Sequence, residues 1–170
     1  MKKRDIVFTA LVATTLSINA AELPDLAKPL NIPLLLSGNF GELRNNHFHS
    51  GLDFKTQGRT GFPIYCAADG YVSRIVVSPW GFGRAVYVVH PDLGITTVYG
   101  HLDAFAPKID KHVRDIQYER ETFSVDLSFT PGEIPVTKGE RIATSGNAGS
   151  SGGPHLHMDI RDTDSEDPLD

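Results

Sequence analysis

Residues 70–100 read GYVSRIVVSPWGFGRAVYVVHPDLGITTVYG, and this stretch decides the fold class of the chain. The runs Gly70–Ser78, Arg84–His90 and Ile95–Tyr99 are rich in β-branched and aromatic residues, which is typical of β-strands. Turns that contain glycine and proline separate the three runs, and strands at this spacing form hairpins. The stretch therefore predicts antiparallel β-structure.

The composition of the whole chain agrees with one β-rich domain. The chain has 170 residues, and its 16 glycines and 11 prolines supply many turns. The formal net charge is −5, and lysine and arginine cluster only at the N-terminus. Because phosphate binding requires a basic surface, nucleic acid is not expected as a partner.

One helix is predicted over Ala104–Tyr118, because Ile109, Val113 and Ile116 recur at helical spacing among charged residues. Cys66 is the only cysteine, and its apolar surroundings predict a buried side chain instead of a nucleophile. Further short strands are predicted at Glu121–Phe129, Arg141–Thr144 and His155–Arg161.

The first 21 residues are predicted to be a secretory signal peptide. Lys2–Arg4 are basic, Ile6–Ile18 are apolar, and the small residues Ala20 and Ala21 precede a polar sequence. The apolar run is too short to span a bilayer, so no membrane span is expected in the mature chain. The alternative is a buried N-terminal helix.

Three parts are predicted after the signal peptide. Residues 22–37 contain three prolines and are expected to form an extended lead-in that packs on the main domain, residues 38–161. Residues 162–170 carry five acidic side chains and are expected to form an unpacked tail.

His155 and His157 lie two positions apart on a predicted strand. Alternate residues of a strand face the same side, so both imidazoles point one way while Leu156 and Met158 point into the core. Both imidazoles could bind one metal ion, or one could bind it while the other faces a substrate. The spacing alone leaves both arrangements open.

His49 and Asp53 are separated by Ser50 and Gly51, which disfavour a shared helix face. In a straight strand, the two side chains would lie about 13 Å apart, too far to bind one ion. A bend at Ser50–Gly51 is therefore predicted. The alternative is that Asp53 is an ordinary turn residue that begins a strand.

Together the motifs predict a catalytic zinc site. One imidazole and one carboxylate from His49 and Asp53, with one imidazole from the later pair, suit one zinc ion and leave a position for water. Zinc acidifies bound water into a nucleophile, and amide hydrolysis also requires a base and an oxyanion donor. His101 and the remaining histidine of the pair fit these two roles.

The ordered motifs His49–Asp53, Tyr99–Leu102 and Gly153–His157 resemble the pattern of the lysostaphin-type (LytM-like) zinc metallopeptidases. The resemblance covers about Gly41–Arg161. Supporting motifs of the same family occur at Ala68–Val72, Gly81–Gly83, Lys138–Ala143 and Ser145–Gly152.

The resemblance implies a role for each motif residue. It implies that His49, Asp53 and His157 bind zinc. It also implies that His155 is not a ligand but a catalytic residue that faces the substrate with His101. These two histidines would orient or deprotonate the water and stabilise the oxyanion.

The resemblance also implies the fold and the substrate. The expected fold is a mainly β, antiparallel two-sheet, barrel-like sandwich (LytM/duplicated hybrid motif-like), with the short helix in an insertion after Tyr99–Leu102. The expected activity is hydrolysis of peptide bonds in peptidoglycan stems or cross-links by a secreted, monomeric enzyme. Both Gly-Gly and D-Ala–diaminopimelate bonds are cut in the family. The short leader and lack of a wall-sorting segment favour a Gram-negative periplasm or cell envelope, and so the second bond.

Two features depart from compact members of the family. Residues 104–133 form a longer insertion, and its segment Lys111–Pro131 is a candidate wall or lid over the groove. The sequence Asp167–Leu169 resembles a motif that usually precedes further sequence. A natural end and a truncation after Asp170 both remain open.

Asn46, Tyr99 and Ser151 are candidate substrate-binding residues, and Arg44 and Asn45 are candidates to line the groove.

Five other residues receive less specific predictions. His47 is expected either to lie near the metal without binding it or to face solvent, and His90 and His112 are expected at the surface. Trp80 and Phe82 flank a glycine turn, where they could face the groove or pack on the hairpin.

Two other function classes compete with an active peptidase. One is a non-catalytic module that binds the wall or activates an amidase, which degenerate family members become after losing zinc ligands. No ligand is lost here. The other is a periplasmic zinc-binding protein, which would not explain His101.

Overall fold

The structure is a computed structural model that describes residues 24–44 and 47–170, and it consists of two antiparallel sheets and one helix. The predicted mainly β, two-sheet fold is therefore confirmed. In chain order the elements are β1 Leu36–Gly38, β2 Leu52–Lys55, β3 Pro63–Tyr65, β4 Gly70–Val77, β5 Arg84–His90, β6 Ile95–Gly100, β7 Leu102–Phe105, α1 Pro107–Glu119, β8 Val125–Ser128, β9 Pro135–Val136, β10 Arg141–Ser145 and β11 His155–Asp162.

The larger sheet has the strand order β1-β2-β11-β6-β5-β4-β8, and β9 pairs with β4. The smaller sheet has the order β3-β10-β7. A single hydrophobic cluster joins both sheets to the helix and includes Ile75 of β4, Ile142 of β10 and Ile109 of α1. The hairpins predicted from residues 70–100 are confirmed, since β4 pairs with β5 and β5 with β6.

The predicted helix is present, but its predicted start at Ala104 is wrong. Residues Leu102–Phe105 form β7, in which Phe105 pairs with Ala143 of β10. The helix begins at Pro107, a residue that suits a first helical position because its missing N–H needs no partner there. In the part of the chain that the structure describes, we find no apolar helix with the length that a bilayer span requires.

Both ends of the described chain contact the domain. Leu30 is buried. Backbone hydrogen bonds donated by the N–H groups of Ala27 and Tyr65 join residues 24–29 to the segment before β4. Leu36 and Ser37, assigned to the lead-in, belong to β1. The predicted signal peptide, residues 1–21, lies outside the described residues, which begin at residue 24, and it stays a prediction.

The prediction of an unpacked C-terminal tail is wrong. The Leu169 N–H donates to the Ile160 carbonyl oxygen at 2.8 Å, and Pro168 forms a bridge with Arg161. The tail therefore folds back along β11. Its five acidic residues suggested a solvated segment, and the backbone pairing that overrides this charge is not visible in the sequence.

The surface assignment of His90 is also wrong. His90 is fully buried, its Nδ1–H donates to the Asp69 carbonyl oxygen at 2.9 Å, and its Nε2 lies 2.8 Å from Thr97 Oγ1. Burial lowers the pKa of His90 below its ordinary value. The imidazole thus acts as a neutral polar link between β5, β6 and the turn before β4.

Candidate metal centre

Pairing between β2 and β11 brings the two distant motifs together. His157 is the Cα partner of Asp53, and His155 is the partner of Lys55. Because alternate residues share a face, these four side chains lie on one side of the ladder. Leu156 and Met158 are buried on the other side, as the sequence predicts.

The chain bends at Gly51, as predicted, and this bend moves His49 toward Asp53. His49 Nε2 lies 3.0 Å from Asp53 Oδ1. A Cβ atom on Gly51 would lie 2.3 Å from the Met158 carbonyl oxygen and 2.4 Å from Asp159 Oδ1. Glycine is therefore required here by the close approach of β11.

Three ligand atoms meet in a triangle. His49 Nε2 and His157 Nδ1 are 3.0 Å apart, and each lies 3.0 Å from Asp53 Oδ1. All three residues are buried. The ligand atoms of this cluster lie within 4.8 Å of one another, so the cluster could hold a metal ion.

The hydrogen bonds behind the two rings fix which nitrogens face inward. His49 Nδ1 donates to the Asn39 carbonyl oxygen at 2.8 Å, and His157 Nε2 donates to Asp159 Oδ1 at 2.5 Å. In the neutral rings, both inward nitrogens then carry lone pairs that face the Asp53 carboxylate. Three electron-rich atoms this close repel one another unless a cation or proton lies between them, so the donor set fits a divalent metal.

The electrostatics of the cluster also favour a cation. Burial alone would raise the pKa of Asp53, but the neighbouring imidazoles of His155, His157 and His49 hold it well below its ordinary value. Burial would lower the pKa of His157, but the hydrogen bond to Asp159 and the nearby Asp53 carboxylate raise it. The carboxylate therefore stays charged, and the cluster attracts positive charge.

Asp159 supports the cluster, and the sequence analysis missed it. This carboxylate is fully buried, accepts the His157 Nε2–H, and accepts the Ser50 hydroxyl at 3.0 Å. The Arg161 guanidinium also donates to it. Because Asp159 follows His157 by two residues on a strand, the shared face was the signal that could have identified it.

Arg44 forms a hydrogen bond with the second oxygen of the Asp53 carboxylate. Its Nη2 donates to Asp53 Oδ2 at 2.9 Å and lies 3.0 Å from Glu42 Oε2. A Cβ on Gly38 would lie 2.4 Å from both Arg44 Nη2 and Asp53 Oδ2, so the glycine makes room for this pair. Arg44 thus lines the groove as predicted and leaves Asp53 Oδ1 for the histidines.

His101 follows β6 in a left-handed backbone conformation with φ 57°, which is uncommon for a residue other than glycine. Its N–H donates to the Phe82 carbonyl oxygen at 2.8 Å, and its Nδ1 donates to the Ala148 carbonyl oxygen at 2.8 Å. Burial is the main cause that lowers the pKa of His101 to about 4. The ring is therefore neutral at pH 7, and its Nε2 carries a lone pair.

His155 lies beside His101, with the ring centroids 4.7 Å apart. Its Nδ1 donates to the Gly153 carbonyl oxygen at 2.8 Å, and its Nε2 lies 3.4 Å from Asp53 Oδ1. Burial would lower the pKa of His155, but the hydrogen bond to Asp53 raises it. The two neighbouring imidazoles thus have opposite tendencies, one neutral and one inclined to hold a proton.

The cluster lies in a groove cavity of about 690 Å³. Phe82 forms part of the wall, and its ring stacks on His157 with centroids 4.7 Å apart. Behind it, a Cβ on Gly149 would lie 2.3 Å from the Gly83 nitrogen, so two loops dock backbone to backbone. Phe82 therefore faces the groove, whereas Trp80 is 75% exposed.

The candidate substrate-binding residues lie in different places in the structure. Ser151 lines the groove, and its Oγ lies 3.2 Å from His155 Nδ1. The prediction for Tyr99 is wrong, because its side chain is fully buried and its hydroxyl accepts the Ala67 N–H at 2.9 Å. Asn46 and its neighbour Asn45 lie outside the described residues.

The remaining predictions concern the groove rim. His47 lines the groove and is not part of the three-ligand cluster. Among the described lining residues, none comes from residues 104–133. The expectation that Lys111–Pro131 walls the groove is therefore wrong, since α1 of this insertion packs on β7 and on β8, and β8 pairs with β4.

Comparisons with known proteins agree with this geometry. The sequence profile of peptidase family M23 matches residues 47–118. The chain is 34% identical over 112 residues to a protein of Haemophilus influenzae named "Uncharacterized metalloprotease", a match that covers 66% of this chain and 18% of that protein. It is 30% identical over 113 residues to "DD-carboxypeptidase/endopeptidase Mpg" of Neisseria meningitidis, which covers 66% of this chain and 20% of the relative. The chain thus spans about a fifth of the length of these curated relatives.

Solved structures show the same fold. A putative M23 peptidase from Pseudomonas aeruginosa is 26% identical, with a TM-score of 0.57 over 88% of this chain and 49% of that chain. The catalytic domain of lysostaphin from Staphylococcus simulans is 22% identical, with a TM-score of 0.55 over 80% of this chain and 85% of that chain. Over residues 47–118 the chain is therefore similar to peptidase family M23, and its fold is that of the lysostaphin-type members.

Proposed function

We propose that this chain is a zinc metalloendopeptidase that hydrolyses peptide bonds of peptidoglycan. The observation that carries the proposal is the triangle of His49 Nε2, Asp53 Oδ1 and His157 Nδ1 in the groove, beside two further imidazoles. These three residues would hold one zinc ion. When bound, zinc supplies Lewis acidity that acidifies a water molecule and polarises a peptide carbonyl.

His101 is proposed to act as the general base. Its Nδ1–H is held by the Ala148 carbonyl oxygen, so a water proton would be accepted at Nε2. The low pKa of about 4 keeps this nitrogen free of a proton at neutral pH. A neutral ring with one fixed tautomer is suited to accept a proton.

His155 is proposed to act as the donor. Its Nδ1 is held by the Gly153 carbonyl oxygen, which leaves Nε2 to donate toward the oxygen that becomes negative during attack. The raised pKa of His155 favours the protonated ring that this role requires. Ser151 and Gly153 would keep the ring in place.

The proposed substrate follows from the relatives and from the groove. The Neisseria relative is named as a carboxypeptidase and endopeptidase, and lysostaphin is named as an antimicrobial peptidase. We infer that stem or cross-link peptides of peptidoglycan are the substrate and that the protein acts as a monomer. The leader sequence supports export to the periplasm or cell envelope, which favours the D-Ala–diaminopimelate cross-link.

The direct test is digestion of purified peptidoglycan. The protein with zinc is incubated with a diaminopimelate-type wall and a pentaglycine-type wall, and released muropeptides are identified by mass spectrometry. Products are expected from the diaminopimelate-type wall. A chelator should abolish them, and added zinc should restore them.

A His101→Ala variant tests the proposed general base. Turnover is expected to fall about 100-fold or more, because a positioned general base contributes about that much. Zinc affinity should stay unchanged, because His101 is not in the ligand cluster. Unchanged muropeptide profiles on both walls, with zinc shown to be bound, would contradict the peptidase proposal and favour a non-catalytic wall-binding or amidase-activating module.

A further inference from the structure

Lys55 occupies the same face of the β2–β11 ladder as the metal cluster. It follows Asp53 by two residues, so both side chains leave β2 on one side. Its partner on β11 is His155. Residues directly opposite each other on antiparallel strands have Cβ atoms about 4.5–5.5 Å apart, so the lysine starts beside the proposed proton donor.

A second cavity of about 370 Å³ adjoins the groove at this position. It shares Arg44, Asp53, Gly152 and His155 with the groove, and it is also lined by Lys55. The two cavities therefore form one surface that passes the cluster. A substrate that extends along this surface would contact the proposed catalytic histidines and Lys55 together.

The charged residues that line this cavity are mostly basic, whereas the whole chain is acidic. The whole chain carries a net charge of −5, but the ionised lining of the second cavity consists of Arg44 and Lys55 against Asp53 alone. Arg44 is already paired with Asp53 and Glu42. The Lys55 side chain is exposed, and its ammonium forms no ion pair with any residue of 24–44 or 47–170.

Building on the proposed peptidase function, we infer that Lys55 makes the second cavity a subsite for a carboxylate of the substrate. The ligand class is a peptide with a carboxylate next to the bond to be cleaved. This group is either the free C-terminus or an acidic side chain. An ammonium donates charge-assisted hydrogen bonds to either one.

The test uses the full chain with zinc and synthetic stem peptides that end in D-Ala-D-Ala. One peptide has free carboxylates, a second has a C-terminal amide, and a third has amidated side chains. Comparing the first with each of the others identifies which carboxylate is recognised. The kinetic readout is the KM of each peptide, measured separately from kcat.

In the wild type, the recognised carboxylate is expected to give a lower KM than its amide. Lys55→Met should raise the KM of the carboxylate peptide about tenfold, which brings the ratio of the two KM values toward one. Lys55→Arg should retain the preference. Lys111→Met removes an exposed lysine from α1 and should leave the ratio at the wild-type value.

Equal KM values for the acid and both amides in the wild type would overturn the subsite and leave the peptidase function standing. Failure to cleave any peptide would show only that these un-cross-linked peptides are not substrates, and the peptidase function would still be judged by the peptidoglycan digestion described above. The subsite is then decided by NMR titration of the same peptides, which requires no turnover. Equal affinity for the carboxylate and amide forms, or a Lys55→Met variant with unchanged affinities, would overturn it.

Discussion

At the scale of single residues, the site depends on the groups that hold the histidine rings. The backbone carbonyl oxygens of Asn39 and Ala148 and the Asp159 carboxylate each fix one nitrogen of a histidine, which leaves the other nitrogen for the groove. A histidine offers a lone pair at one nitrogen only, so these partners decide which atom faces a metal or a substrate. The motif histidines alone would not do so.

Removal of the Asp159 carboxylate should therefore weaken metal binding. Asp159→Ala frees His157 to adopt either tautomer and releases Ser50 from β11. Zinc affinity is expected to fall roughly 10–100-fold, as for other partners of metal-binding histidines. Competition with a chelating dye measures the affinity. Asp115→Ala, an exposed carboxylate on α1, serves as the control, and equal affinities in the two variants would contradict the role of Asp159.

Single site residues were predicted with mixed success from the sequence. The motifs identified the five histidine and aspartate positions that meet in the groove. Tyr99 was misassigned because it would share the face of His101 only if β6 continued regularly, whereas His101 follows β6 in a left-handed conformation with φ 57° that ends the alternation. Asp159 was missed because no motif marks it, although its spacing from His157 was informative.

At the scale of elements, β2 and β11 act as a rigid frame for the cluster. Their contact at Gly51 is closer than any side chain permits. Strands predicted from local composition, β4 to β6, were found where expected. β7 was missed because Leu102–Phe105 becomes a strand only by pairing with β10, which is distant in sequence.

Gly51→Ala should disturb both stability and the cluster. The added methyl would meet the backbone of Met158, which cannot move without shifting β11. The free energy of unfolding is expected to fall by about 1–3 kcal/mol, the usual range for overpacking. Chemical denaturation measures the change. Gly152→Ala is the matched control, because a Cβ there has no neighbour within 4 Å, and equal losses in both variants would count against the close contact.

The link that His90 forms between β5 and β6 predicts a pH dependence. Its pKa in the folded state is lower than the ordinary value of 6.5, so the unfolded state binds more protons as the pH falls. Stability from this residue is present above pH 6.5 and is lost as the pH falls toward its folded pKa. Replacement by His90→Gln should reduce the slope of unfolding free energy against pH between 7.5 and 5.5. An unchanged slope would show that other groups account for the dependence.

At the scale of the whole molecule, the candidate metal site joins residues that are 104 positions apart in the chain, Asp53 and His157. The two-sheet architecture was expected from the family resemblance, because hairpin signals alone do not specify how sheets pack. The tail and the insertion were placed wrongly at this scale. In both cases, long-range packing decided the outcome.

Zinc should therefore stabilise the whole fold. At about 100 times its Kd, a ligand that binds only the folded state adds about 2.7 kcal/mol to the free energy of unfolding. Thermal or chemical unfolding with and without zinc measures this increment. His49→Ala should lose most of it, because His49 lies in the ligand cluster. An equal increment in the variant would place the bound zinc elsewhere.

The position of β11 also determines when the protein can work. β11 lies between β2 and β6 inside the larger sheet, although it is the last strand of the described chain. During synthesis, β1 and β2 stay separated from the other strands until β11 emerges, because β11 is the strand that joins β2 to β6. The sheet and the metal cluster are then completed in the same event, so a partly made chain has neither. A chain that folds in this order cannot form its candidate metal site before the whole sheet is complete.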